Sequence, residues 1–276
     1  MQSRLDRADQ DLRKPGLTRL AMCVEYDGSA FHGWQVQKDT KTVQAALETA
    51  LSKVADESIR VVTAGRTDTG VHATGQVVHF ETTRLRSRHA WLRGTNTCLD
   101  RSVVALWANL VPASFHARFS AVSRAYRYVV LNRKARPTFL ESRVTWDHRP
   151  LDIDRMSAAC CYLLGRHNFN AYRAASCQAK QPIRVINELE VQRRGEWVWI
   201  DIDADGFLHH MVRNIVGVLS AIGAGEAEPE WAREVLNSRD RKLGGVTARP
   251  DGLYLRDVAY PVEFGLPPSP PPCRFW

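Results

Sequence analysis

Residues 189–202, read as LEVQRR-GE-WVWIDI, constrain the fold more than any other stretch. Two strand-like runs meet at Gly195 with only two residues between them, which reads as a hairpin. Such a short link joins antiparallel neighbours only, because parallel strands need a crossover of a dozen residues or more. Other strand patterns follow the same lead. Leu20, Met22, Val24 and Tyr26 alternate up to Asp27-Gly28, and Tyr126, Tyr128 and Val130 alternate in RAYRYVVL. Short strands are expected at about 59–63 and 76–81, an apolar run at 103–111 ends before Pro112, and GLYLRDVAY reads as a last strand.

Helical spacing appears in TVQAALETALSKVAD through Val43, Ala46, Leu47, Ala50, Leu51 and Val54. It recurs at 154–164, in a long helix expected over 207–223, and at 230–237, where Pro229 stands near the start. Strands and helices mix without regular βαβ alternation, so the class is α+β with largely antiparallel sheet. Each half opens with a strand and then a helix, which suggests two related α/β lobes with a cleft at their junction. The expected divisions are a flexible N-terminal tail at 1–16, lobes at 17–112 and 113–262, and a Pro-rich tail at 263–276 containing LPPSPPP.

Charge narrows the class of partner. Against 30 Asp+Glu stand 38 Lys+Arg, a net charge of +8 over 276 residues. That suits a polyanion, since cations replace the counterions of each phosphate they contact; plain solubility explains it equally. The basic residues gather in RLRSRHAWLRG, with Arg84, Arg86, Arg88 and Arg93, and around 116–136, where Arg118, Arg124 and Arg127 interleave with Phe115, Phe119, Tyr126 and Tyr128. Cations on phosphates with aromatic faces for bases suit RNA, while a solvated basic face above core aromatics is the alternative. Six cysteines without C-x-x-C spacing argue for reduced thiols in a cytoplasmic protein. The first residues lack the apolar region of a secretory signal, and no apolar run reaches membrane-spanning length.

The stretch AGRTDTGVHATGQVVHF carries the candidate chemistry. Asp68 sits between glycines in a tight loop, where a lone Asp is read first as an Asx turn. The motif is longer than a turn needs, and Arg66 places a planar cation two residues away. His72, His79, His209 and His210 match no metal-ligand spacing and are read as structural; no metal site is expected. Phosphate-loop, dinucleotide and serine-hydrolase signatures are all missing, so no cofactor is expected and any chemistry would rest on a bare carboxylate. Arg213 lies on an otherwise apolar helix, either snorkelling outward or paired in a buried site.

Six blocks in order, EYDGSAFHGWQVQ, AGRTDTGVHATGQVVHF, FHARFSAVSRAYRY, YRAASCQAK, HHMVRNIVG and GLYLRDVAYP, make residues 17–261 resemble the tRNA pseudouridine synthase A family. The resemblance implies the pseudouridine synthase fold, with two α/β lobes flanking a basic cleft. It also implies a cofactor-free homodimer that isomerises uridine to pseudouridine in the anticodon stem-loop of tRNA. Carried over by motif, Asp68 is the catalytic carboxylate and Tyr126 the ring that stacks on the target base and is a candidate for proton transfer. Arg213 is the ion-pair partner that would lower the Asp68 pKa. Arg66 is a candidate to fill the space of the flipped nucleotide, and Arg86 and Arg118 are candidate RNA contacts. Two positions depart from the family pattern: Asp100 stands where a Pro is usual, and Tyr172 where Phe is common. A catalytically silent RNA-binding protein and a metal-dependent phosphohydrolase using Asp68 and His72 are the competing readings.

Overall fold

The computed structural model describes residues 16–276, so the tail expected at 1–16 lies outside the described residues except for Gly16. The described chain divides into two compact units. One holds residues 16–122 and Asp257–Pro271, the other Ser123–Arg256 and Pro272–Trp276. The class is α+β, with mostly antiparallel sheet and five α-helices among the described residues. No helix among them is long and apolar enough to cross a membrane.

In the first unit β1 (Thr18–Tyr26) runs antiparallel to β3 (His72–Thr82) on one side and to β4 (Val103–Leu110) on the other. Ala21 and Cys23 on one face are as buried as Leu20 and Met22 on the other, so both faces of β1 are covered. β2 is only Val62–Thr63, set beside His79 and Val78 of β3. The longer strand expected at 59–63 does not form, because α1 (Val43–Ala55) takes its amides. Ile59 N–H donates to Ser52 Oγ at 2.9 Å and Val61 N–H to Glu48 Oε1 at 3.0 Å. Helix α1 itself starts where Thr42 Oγ1 accepts from Ala45 N–H.

A helix that the sequence pattern does not announce, α2 (Arg88–Cys98), follows β3. Gly94, Thr95, Asn96 and Thr97 are weak helix formers, so its register comes from packing rather than propensity. Ser87 caps it, and Trp91 turns inward edge-on to Phe80, with ring centroids 5.2 Å apart. A side chain at Gly94 would meet Val54 of α1 at 2.9 Å, so glycine there lets the two helices close.

The second unit orders β5 (Ser123–Asn132), β9 (Trp197–Ala204), β8 (Ile183–Arg194) and β7 (Gly165–Asn168) as antiparallel neighbours. The β8–β9 hairpin turns at Gly195, φ +59°, with Arg194 opposite Trp197. On the edge of β5 away from β9 lie β10 (Leu253–Ala259) and the short, parallel β6 (Thr145–Asp147). Three helices complete the unit: α3 (Ile153–Cys160), α4 (Met211–Gly223) and α5 (Trp231–Ser238). Helix α4 begins four residues later than its apolar pattern suggests. Phe207 and Leu208 are in phase with Met211, but His210 sits at φ +61° and breaks the helix before them.

The end of the chain returns to the second unit. Trp276 stacks on Trp199 with centroids 4.2 Å apart, and Phe275 on Trp197 at 5.8 Å. Beneath them Arg127 and Asp201 form a buried bidentate pair at 2.9 and 2.7 Å, and Arg127 Nη1 also donates to the Cys273 carbonyl.

Candidate active site

Asp68 lies on the loop between β2 and β3, half-buried, between exposed Arg66 and Thr69. The turn is closed by main chain: Val71 N–H donates to the Asp68 carbonyl at 3.1 Å, with Gly70 at φ +79°.

Much of what holds this loop comes from a different motif, EYDGSAFHGWQVQ. Trp34 N–H donates to the Thr67 carbonyl at 3.0 Å, and the Thr67 hydroxyl is 2.8 Å from the Tyr26 phenol oxygen. Gly33, at φ +86°, backs directly on Thr67 and Asp68, and a Cβ at Gly28 would land 2.0 Å from the Val71 carbonyl oxygen. Gln76, fully buried on β3, donates to the Gly65 carbonyl at 2.6 Å. His72 is buried and accepts the Gly28 amide at 3.0 Å, the structural role expected of it. The sequence assigns Tyr26, Gly28, Gly33, Thr67 and Gln76 no part in the site. The only signal for them was a block resemblance without a function attached.

Such fastening suits a reactive group. A carboxylate held on main chain that is bonded to three other segments cannot drift far from one geometry.

In the second unit Tyr126 lies on β5 opposite Ile202, nearly buried, with Phe207 edge-on at 5.1 Å and 87°. Its neighbour on the same face, Tyr128, donates to the Arg249 carbonyl at 2.8 Å and lies 2.6 Å from Thr145 Oγ1. Burial drives the Tyr128 pKa far above the ordinary phenol range. Arg213 sits in the first turn of α4, half-buried, and its Nε donates to the Ala248 carbonyl at 2.8 Å while its own carbonyl accepts Ala248 N–H at 3.0 Å.

The loop holding Arg213 is itself pinned. Asn214 donates to the Tyr172 carbonyl at 2.8 Å and accepts from Thr247 at 2.7 Å and Arg241 at 3.0 Å. A Cβ at Gly217 would lie 1.9 Å from the Val246 carbonyl oxygen, so α4 needs glycine for the loop to lie on it. The YRAASCQAK block joins the same corner, where Ala174 N–H donates to the His209 carbonyl at 2.9 Å. Tyr172, the departure from Phe, has a use for its hydroxyl: it donates to the Ala232 carbonyl at 3.0 Å.

Arg86 and Arg118 are exposed and stand apart from the Asp68 loop. Arg86 follows the far end of β3, an eleven-residue strand spanning roughly 30 Å. Arg118 adjoins Ala117, whose amide donates to His79 Nδ1 in the later half of β3.

A family model described as tRNA pseudouridine synthase matches residues 22–120 and 159–261. A tRNA pseudouridine synthase A from Nitrosococcus oceani is 56% identical over 258 residues, 94% of this chain and 100% of its own. Proteins of the same name from Coxiella burnetii and Pseudomonas aeruginosa are 51% and 53% identical, covering 92% and 91% of this chain and 97% and 89% of theirs.

Proposed function

The chain belongs to the tRNA pseudouridine synthase family and is an isomerase of tRNA uridine, and on that premise we propose that Asp68 is its catalytic carboxylate. The observation that carries this is the fastening of the Asp68 turn by Gly33, Trp34, Tyr26 and Gln76. A turn with only a structural task would not need so much behind it.

The chemistry fits a carboxylate working without a redox partner. Pseudouridine forms when the N1–C1′ bond breaks, the uracil turns, and C5 bonds to C1′ in its place. A proton leaves C5 and one is gained at N1, so atoms and electrons balance within one nucleotide. Asp68 serves as nucleophile or base, Tyr126 presents its ring to the loosened uracil, and Arg213 stabilises negative charge at the reacting group. The uridine must leave its stack to be reached, at a cost of roughly a few kcal/mol. Exposed Arg66, two residues before Asp68, occupies the space it vacates. The substrate uridines are those of the anticodon stem-loop, bound through a basic surface by a cytoplasmic homodimer.

The test is incubation of transcribed, unmodified tRNAs with wild type and Asp68→Asn, mapping pseudouridine and measuring tRNA affinity. Wild type should modify the anticodon stem-loop, and Asp68→Asn should bind tRNA without turnover. Modification confined to another arm would refute the stem-loop assignment, and full activity in Asp68→Asn would remove Asp68 from its role.

A further inference from the structure

We propose that Phe119, packed against His116, is a platform for an unpaired base of the tRNA, remote from the Asp68 loop. The proposal rests on tRNA being the substrate, as above.

Phe119 is 75% exposed, so most of its ring is open to solvent. It is nevertheless ordered from behind. Its ring lies 4.4 Å from that of His116 at an interplanar angle of 30°, and His116 meets buried His79 edge-on at 4.8 Å. His116 Nδ1 accepts both the Arg118 and Phe119 amides at 3.1 Å, which fixes the imidazole and leaves that nitrogen unprotonated. The segment is anchored further by Ala117, whose amide donates to His79 and whose carbonyl accepts from Tyr260 at 2.6 Å. His116 N–H donates to Ser120 Oγ, and Ser120 N–H to the His116 carbonyl, both at 2.9 Å. A ring held this firmly loses little freedom on binding, the condition under which stacking yields affinity.

The surroundings identify the occupant. The Arg118 guanidinium lies 5.4 Å from the Phe119 centroid, so a cation and an aromatic face are presented together. That pairing matches a base with its phosphate, and stacking accepts any base because each has a π face. A second copy of the chain fits less well. Among residues 115–122 only Phe119 and Val122 are exposed large apolar groups, far short of the roughly 800 Å² per partner of a stable interface. The site is also distinct from the reacting centre. His79, which anchors it, is seven residues along β3 from His72 beside the Asp68 loop, roughly 23 Å at strand spacing.

Binding of an unmodified tRNA transcript to Phe119→Ala, Phe119→Leu, Phe119→Tyr and Phe119→Trp tests this. Phe119→Ala and Phe119→Leu should bind about tenfold more weakly, as expected for loss of one stacked base, while Phe119→Tyr binds like wild type. Phe119→Trp should also bind like wild type, and tRNA should quench its added indole emission. Stacking differs from charge in salt response. Phe119→Ala should keep the wild-type salt slope, whereas Arg118→Ala lowers it by about one. Wild-type affinity in both Phe119→Ala and Phe119→Leu would overturn the proposal, as would an unquenched Phe119→Trp. A shift in oligomeric state on sedimentation of Phe119→Ala would overturn it in favour of a second copy. Melting curves matched to wild type exclude misfolding as the cause. Because binding is the readout, a wild type that makes no pseudouridine would refute the isomerase reading and leave this test standing.

Discussion

Gly33 touches the Asp68 turn from behind: a Cβ there would lie 2.9 Å from the Thr67 carbonyl oxygen and 3.2 Å from the Asp68 carbonyl carbon. Its φ of +86° adds a conformational penalty for any side chain. Gly33→Ala should cost roughly 1–3 kcal/mol of stability and displace the turn. With Asp68 as catalyst, a shift of that size should lower kcat by about 100-fold while tRNA affinity holds. Separate measurement of kcat and tRNA Kd checks it, and an unchanged kcat would mean that the turn does not position the reaction.

Gln76 is the other half of that support. Its side chain is fully buried and donates to the Gly65 carbonyl at 2.6 Å, so Gln76→Leu leaves that carbonyl only the Thr63 hydroxyl at 3.2 Å. Urea unfolding should show a loss of roughly 0.5–1.5 kcal/mol, together with reduced kcat. Stability loss with wild-type kcat would confine Gln76 to a structural role.

These two contacts show what the sequence makes legible and what it hides. The β8–β9 hairpin and α1 are readable because their signals are local, a turn at Gly195 and apolar spacing from Val43 to Val54. Asp68 stands out for the same reason, inside one unbroken motif. Its support is hidden, since Gly33 meets Thr67 across 34 positions and neither residue looks unusual alone. Helix α2 is hidden differently. Its stability lies in Trp91 against Phe80 and Gly94 against Val54, contacts with other elements that no local pattern contains. The opposite error occurs at Phe207 and Leu208, where apolar phase continues past the point at which His210 ends the helix.

Acid should weaken the fold through His79. Burial first, then the charges of His116 and Arg19, lowers its pKa from 6.5 to about 4, and its Nδ1 accepts the Ala117 amide. Between those values the unfolded chain holds a proton that the folded chain does not, so stability falls as pH drops from 6.5 towards 4. His79→Asn keeps an acceptor for Ala117 but does not titrate. Between pH 7 and pH 4 its stability should fall by roughly 3 kcal/mol less than that of wild type. Parallel acid limbs in urea titrations would exclude His79 as the titrating group.

Removal of the terminal indole should be felt at Trp199. Trp276→Ala abolishes a stacked pair at 4.2 Å and exposes the ring face beneath. A loss of about 0.5–1.5 kcal/mol beyond simple area burial is expected. Deletion of 273–276 should cost more, because Arg127 also loses the Cys273 carbonyl. Differential scanning fluorimetry of both variants checks the order, and equal melting temperatures would show that the terminus contributes nothing.

Phe115 is fully buried in the first unit, yet two of the rings around it, Tyr260 at 5.0 Å and Phe264 at 5.1 Å, are encoded about 145 residues later. During synthesis at roughly 5–20 residues per second, the early part of the chain waits on the order of 7–30 s for them. Ribosome-bound intermediates therefore carry an uncovered aromatic site, and the first unit matures only after Ser123–Arg256 of the second has been translated. For this protein the order of the gene is not the order of completion.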